Sequence, residues 1–288
     1  MKKICLCFML LLTVMLLTGC FKRYNMEDIN IITTSYPVEY VVNFLYGDNS
    51  NVKSIYPRSA NVLEYEITDK QINDFSNNDL FVYNGNSNER ELATRMLNNN
   101  RNLKIIDAAY GVDSVYSEYD LWLNPSNVLM IGQNVRNGLE DYISNPYLVE
   151  EINSKYQILK VSISELETEY KKTADNSVDK RIISSSETLK FLEKYGFTVI
   201  NLTEKGEKKE NNIELAKSLL KNKKLSYVYV IENDINLDVI DNVIKEYKVD
   251  KLTFRTIETI TEDDANNGED YISLMYDNIE LLKKETYK

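Results

Sequence analysis

The stretch "YLVEEINSKYQILKVSISELETEYKKTA", residues 147–174, decides how the rest of the chain is read. Its apolar side chains Leu148, Ile152, Tyr156, Leu159, Ile163, Leu166 and Tyr170 recur in alternating steps of four and three. That spacing puts them on one stripe of a helix. At 1.5 Å per residue the helix would reach about 40 Å, enough to cross a whole domain. The stripe is compatible with a coiled coil but short for one, and an intramolecular backbone helix is favoured. Pro146 punctuates its start.

Upstream of this helix, "INIITTSYP" reads as a buried strand, followed by Val38, Val41, Val42 and Leu45 at helical spacing. "VKSIYP" is the next strand. Thr68 with Gln71 is a capping-box start for a helix carrying Ile72 and Phe75. "LFVYNG" and "LKIIDA" read as strands, with a helix marked by Leu92 and Met96 between them, and "LWL" reads as another strand. A helix through Val128, Ile131, Val135, Leu139 and Tyr142 leads to Pro146.

Downstream, "RIISSS", "FTVINL", "SYVYVIE" and "KLTF" are strands. They alternate with helices at Leu189–Tyr195, closed by Gly196, at Ile213–Leu220 and at Leu237–Tyr247. A terminal helix carries Tyr271, Leu274, Met275, Ile279 and Leu282. "NGNSNERELATRMLNNNRN" and "EKGEKKENN" are polar and read as loops or helix edges. Strands alternating with helices imply parallel sheets. The expected fold class is therefore α/β, with two Rossmann-like lobes joined by a single long backbone helix. The lobes span 30–145 and 176–288, and the helix 146–175.

Composition sets the function class. With 288 residues, 43% hydrophobic and 27% charged, the chain can build substantial cores. Its formal net charge of -11 argues against nucleic acid and against docking on anionic lipid. Lys2 and Lys3 precede the apolar run "ICLCFMLLLTVMLL", which ends in "LTGC". This reads as an export signal over 1–19, followed by a tether over 20–29. The final cysteine resembles a bacterial lipobox, which implies cleavage before Cys20 and lipidation of it; the alternative is a plain signal with an incidental cysteine. The expected location is extracytoplasmic, anchored to the bacterial cell membrane by lipid at Cys20. The cysteines are Cys5, Cys7 and Cys20, so the mature domain has no free thiol, and the chain has 0 His. Thiol enzymes, thiolate metal sites and disulfide scaffolds are excluded. Without histidine, thiol or a Walker-type glycine loop, a binding protein is a better reading than an enzyme.

Taken in order, several motifs resemble the solute-binding lipoproteins of bacterial zinc and manganese ABC importers, also called adhesion lipoproteins. They are "IITTSYP", "NDLFVYNG" at 78–85, "LWLNP" at 121–125, the single long helix, Tyr195-Gly196, and "EDYISLMYDNI" at 269–279. The resemblance implies an interlobe cleft, an ABC permease and ATPase as partners, and a monomer. It also implies four metal-holding positions, usually three histidines and an acid. The matching residues here are Leu63 in "NVLEYE", Asp120 before "LWL", Ser185 ten residues before Tyr195, and Glu258 in "TIETI" with a shifted gap. All four depart from the pattern. Leu63 cannot ligate and Ser185 is a weak neutral ligand. Tight zinc sites want imidazole or thiolate, and the mature chain offers neither.

Asp120 and Glu258, helped by Glu64, Glu66 or Glu232, can form an oxygen-only pocket that suits Mn²⁺, Ca²⁺ or Mg²⁺, with zinc bound only weakly. The bland alternative is that these acids are simply solvated. The tract "TEDDANNGED" lacks EF-hand spacing and reads as a solvated loop. Two functions follow. One is a receptor for a metal-type ABC importer with an altered or weakened cation site. The other is a degenerate relative acting as a surface interaction or adhesion module without metal transport.

Overall fold

The computed structural model describes residues 26–62, 64–116, 119–233 and 238–287, and of Asp120 the backbone only. The export signal, Cys20, most of the tether and Leu63 lie outside the described residues.

Each half of the chain builds one four-stranded parallel sheet. The first contains β1 (Ile29–Thr33), β2 (Ser50–Ser54), β3 (Leu80–Tyr83) and β4 (Lys104–Asp107) in the order β2-β1-β3-β4. The second contains β5 (Arg181–Ser184), β6 (Thr198–Asn201), β7 (Tyr227–Ile231) and β8 (Asp250–Phe254) in the order β6-β5-β7-β8. The order is the same in both. The middle strands are covered on both faces, so β3 reads "LFVY" and β7 "YVYVI", apolar throughout rather than alternating.

One helix, Pro146–Asp175, links the lobes over 30 residues, about 45 Å. Pro146 occupies its first turn, and the Asn145 side chain accepts a hydrogen bond from the Tyr147 N–H at 3.0 Å. The whole predicted stripe from Leu148 to Tyr170 is buried. It belongs to one continuous core that takes Ile31 and Val82 from the first sheet and Ile182 and Phe254 from the second. Each buried Leu or Ile on that stripe contributes about 1.5–3 kcal/mol, so the helix is fixed by both lobes at once. No helix among the described residues is long and apolar enough to cross a membrane.

Three local readings are corrected. "LWL" is not a strand: Asp120–Leu123 is a single helical turn, with Tyr119 O accepting from the N–H groups of Trp122 and Leu123. Leu121, Trp122 and Leu123 are all buried, and a short all-apolar run carries no period to tell strand from helix. The tract "TEDDANNGED" is not a plain loop. Thr261 and Asp264 form a capping box that opens the short helix Glu262–Asn266. Helix Glu207–Lys221 begins inside "EKGEKKENN", earlier than its apolar pattern suggests, because its buried residues start only at Ala216. The segment Glu187–Tyr195 is a 3₁₀ helix, and Gly196 ends it at φ +104°, a left-handed conformation that favours glycine.

Candidate functional site

In parallel α/β sheets ligands collect beyond the carboxyl ends of the strands, where loops diverge. A cavity of ≈ 720 Å³ lies there. Its walls come from the residues that follow three strands of the first sheet: Ser35 after β1, the segment Tyr56–Ile67 after β2, and Asn84 to Glu89 after β3. Trp122 and Glu258 close it, Glu258 arriving from the segment after β8.

The lobes meet directly around this cavity. Tyr36 N–H donates to Glu258 O at 2.8 Å, and Trp122 Nε1–H donates to Thr256 O at 2.7 Å. The Tyr271 hydroxyl donates to Trp122 O at 2.5 Å. At the rim Ser59 N–H donates to Ile260 O, and Arg58 pairs with Glu262 at 2.9 Å. These bonds fix Trp122 as a buried wall. Ile257, immediately before Glu258, is fully buried and has φ +57°. A β-branched residue in that region is strained by about 1–3 kcal/mol and persists only because its surroundings impose it. The strain falls at the turn that delivers the cleft carboxylate.

The cavity is acidic. Glu64, Glu66, Glu89, Glu91 and Glu258 line it against one cation, Arg95, which is itself paired with Asp69. Glu89 and Glu258 are buried, at 6% and 5% exposed. The Glu89 carboxylate accepts from Asn84 N–H at 2.7 Å and from the Tyr56 hydroxyl at 3.4 Å. Burial outweighs those bonds and pushes its pKa up to about 7. Ser35 is 2% exposed, and its buried hydroxyl has no hydrogen-bond partner among the described residues. Buried hydroxyls are normally paired, so Ser35 is an exception beside the cavity wall.

The predicted positions separate here. Glu258 lies in the cavity wall, and so do Glu64 and Glu66, at its exposed rim. Asp120 begins the turn that carries Trp122, but its side chain lies outside the described residues, as does Leu63. Ser185 is buried behind the edge of the second sheet and is not among the cavity's described walls. Its hydroxyl accepts from Ile231 N–H at 3.3 Å, and its own N–H donates to Tyr229 O. Glu232 turns towards Thr256, accepting from its N–H at 3.2 Å. Among the described residues no group of three or more Asp, Glu, His or Cys is arranged to hold a metal ion. Sequence reasoning missed Ser35, Tyr56 and Glu89. The only signal for Glu89 was an acid opening a helix just after the "NG" turn.

Fold and cleft together have the layout of a two-lobed substrate-binding protein. The sequence profile of the family described as "ZnuA: Zinc-uptake complex component A periplasmic" matches residues 31–285, and the chain belongs to that family. Its relatives are substrate-binding components of transport systems, not enzymes. The zinc-binding lipoprotein AdcA of Streptococcus pneumoniae is 25% identical over 99% of this chain, which spans 61% of that longer relative. The high-affinity zinc uptake protein ZnuA of Bacillus subtilis is 23% identical, over 89% of this chain and 87% of its own length. The metal ABC transporter substrate-binding lipoprotein SsaB of Streptococcus sanguinis is 24% identical over 99% of both chains. Among solved structures, the metal-dependent lipoprotein YcdH of B. subtilis superposes with TM-score 0.74 at 20% identity, covering 91% of this chain and all of that one. The Zn(II)-bound ZnuA-like domain of pneumococcal AdcA gives TM-score 0.71 at 22% identity with the same coverage.

Proposed function

We propose that this chain is an extracytoplasmic lipoprotein, anchored through Cys20, that receives a cation in its interlobe cleft and delivers it to the permease and ATPase of a metal-type ABC importer. The site differs from a zinc site in kind. The observation that carries this reading is the cleft itself: a cavity walled by carboxylates at the strand ends of a protein with 0 His. Oxygen donors favour hard or weakly demanding cations over zinc. Glu258 is the principal anionic contact, and Asp120, at the head of the turn carrying Trp122, is the second candidate.

The test is a thermal-shift and calorimetry panel on chelator-stripped protein. A true receptor gains about 2.7 kcal/mol of stability at a hundredfold excess of ligand over its dissociation constant. We expect Mn²⁺ or Ca²⁺ to stabilise the protein at least as well as Zn²⁺, and the gain to shrink in Asp120→Asn and Glu258→Gln. Nanomolar zinc binding abolished by Asp120→Asn would show that carboxylates suffice for zinc here and overturn the altered-site reading. Stabilisation by no cation at all would favour the adhesion-module alternative.

A further inference from the structure

We infer that Lys194 is a positioning residue of the cleft: from the second lobe it holds the end of the first-lobe turn that begins at Asp120 and carries Trp122, and so sets that turn against Glu258. The inference rests on the cleft being the cation site. Lys194 lies near the end of the 3₁₀ segment Glu187–Tyr195. An ammonium has three donors and no acceptor. Those of Lys194 meet three acceptors: Asn124 Oδ1 at 2.6 Å, Ser126 Oγ at 2.7 Å and Glu167 Oε1 at 2.8 Å. Asn124 and Ser126 belong to the first lobe and Glu167 to the connecting helix. One side chain therefore joins both lobes and the helix between them.

A lysine–glutamate pair with each side chain 35% exposed contributes little by itself. This one is tied further. The Ser126 hydroxyl donates to Glu167 at 2.5 Å, the Tyr195 hydroxyl donates to the same oxygen at 3.4 Å, and the Lys194 ammonium lies 4.8 Å from the centre of the Tyr195 ring. Burial alone would raise the Glu167 pKa, but the Lys194 ammonium and the Ser126 hydroxyl hold it below its ordinary value, so this carboxylate stays ionised at neutral pH. What Lys194 holds bears on the cleft. Asn124 directly follows the single helical turn Asp120–Leu123. The second lobe grips that turn at Trp122 through Thr256 O and the Tyr271 hydroxyl, both from elements after β8. Lys194, from the segment after β5, supplies a separate grip two residues further on. Without it the turn keeps only the bonds at Trp122, and its placement against Glu258 loosens. Ligand sites need their donors held within about 0.5 Å, so a looser turn binds more weakly.

The test uses Trp122, the single tryptophan of the chain and 2% exposed, as its reporter. Lys194→Met keeps the aliphatic stem and removes the charge and the donors. Asn124→Ala removes the acceptor on the turn, leaves the Lys194–Glu167 pair in place, and serves if Lys194→Met fails to fold. In chelator-stripped protein we expect either substitution to raise the acrylamide quenching constant of Trp122 about twofold. Calorimetry with Mn²⁺ and Ca²⁺ should show binding weakened about tenfold, the scale of losing a group that orients a metal ligand. The double variant should be no weaker than either single one, because both break the same bond. Unchanged quenching in a folded variant, unchanged cation affinity where the wild type binds, or additive losses in the double variant each overturn the inference and leave the receptor reading standing. Wild-type protein that binds neither cation overturns both.

Discussion

The two lobes share a strand order but finish it differently, and the residues after their central strands show how. Ser35 stands two residues beyond β1 and Ser185 one residue beyond β5, at the same end of the two sheets. Ser35 lines a cavity and its buried hydroxyl has no partner among the described residues, whereas the Ser185 hydroxyl accepts from Ile231 N–H. The neighbours of Ser185 hold further hydrogen bonds within the second lobe. The Ser184 hydroxyl donates to Ser186 O, Ser186 Oγ accepts from Thr188 N–H, and Thr203 donates to Ser185 O. Connection length accounts for the contrast. After β2 the chain runs through residues 55–68 before its next helix, enough to wall a pocket; after β6 the equivalent connection is 202–206. The longer connection leaves the strand ends of the first sheet beside a cavity. The segment after β8 carries an acid, Glu258, across to the open side.

The largest expected effect tests whether the two lobes are one unit. Lys160 is exposed at the middle of the connecting helix, so Lys160→Pro leaves the buried stripe intact while removing a backbone donor and crowding the Tyr156 carbonyl. A mid-helix proline costs about 3 kcal/mol or more. We expect the variant's urea unfolding to split into two transitions, one per lobe. A single transition at the wild-type midpoint would mean that the shared core does not depend on this helix.

Next is acid, to which the lobes should respond with opposite sign. The Glu89 carboxyl, in the first lobe, is raised from 4.5 to about 7 by burial. Folding then favours its protonated form, so its contribution is fully present below about pH 4.5 and is lost as pH rises through 7, a change of up to about 3 kcal/mol. Asp264, in the second lobe, is held well below the usual carboxylate range by its bidentate pair with Arg255. Its contribution is present above the ordinary carboxylate pKa and is lost only as pH falls below it. Glu89→Gln should therefore flatten the decline in stability between pH 5 and pH 8, and Asp264→Asn should remove a loss seen only in strong acid. Denaturation midpoints across pH measure both, and identical profiles for the two variants would contradict the assignment.

The smallest pair concerns backbone. A Cβ on Gly85 would fall 1.9 Å from the Asp107 carboxylate, which accepts from the N–H groups of Gly85 and Ala109. Gly85→Ala must displace that anchor, at about 1–3 kcal/mol. Gly196 has open space around it, and Gly196→Ala bears only the strain of φ +104°, about 1 kcal/mol. A larger loss at 196 than at 85 in urea titrations would reverse the comparison.

What the sequence discloses follows the same division. The connecting helix is legible to within a residue at each end, because seven buried side chains keep one period and Pro146 marks the start. Sheet strands are legible where apolar runs stand between turn residues. "LWL" is not, since three buried residues in a row carry no period. Glu258 is legible through family resemblance alone. Glu89 and Ser35 are hidden for a physical reason: acids and serines are usually solvated, and only the folded chain shows these two buried at a cavity wall.

The place of β1 has a mechanical consequence. It is the first strand among the described residues, yet it sits inside its sheet, hydrogen-bonded in parallel to β2 on one side and β3 on the other. A pull on the residues preceding Ile29 therefore does not peel an edge strand one bond at a time. It draws a central strand lengthwise between two neighbours, stressing both ladders in shear together. Forced unfolding is governed by the height of the barrier to that first slip. Extension of single molecules from the N-terminal end should show a high rupture force, and moving the attachment point to the C-terminal helix Tyr271–Thr286 should lower it.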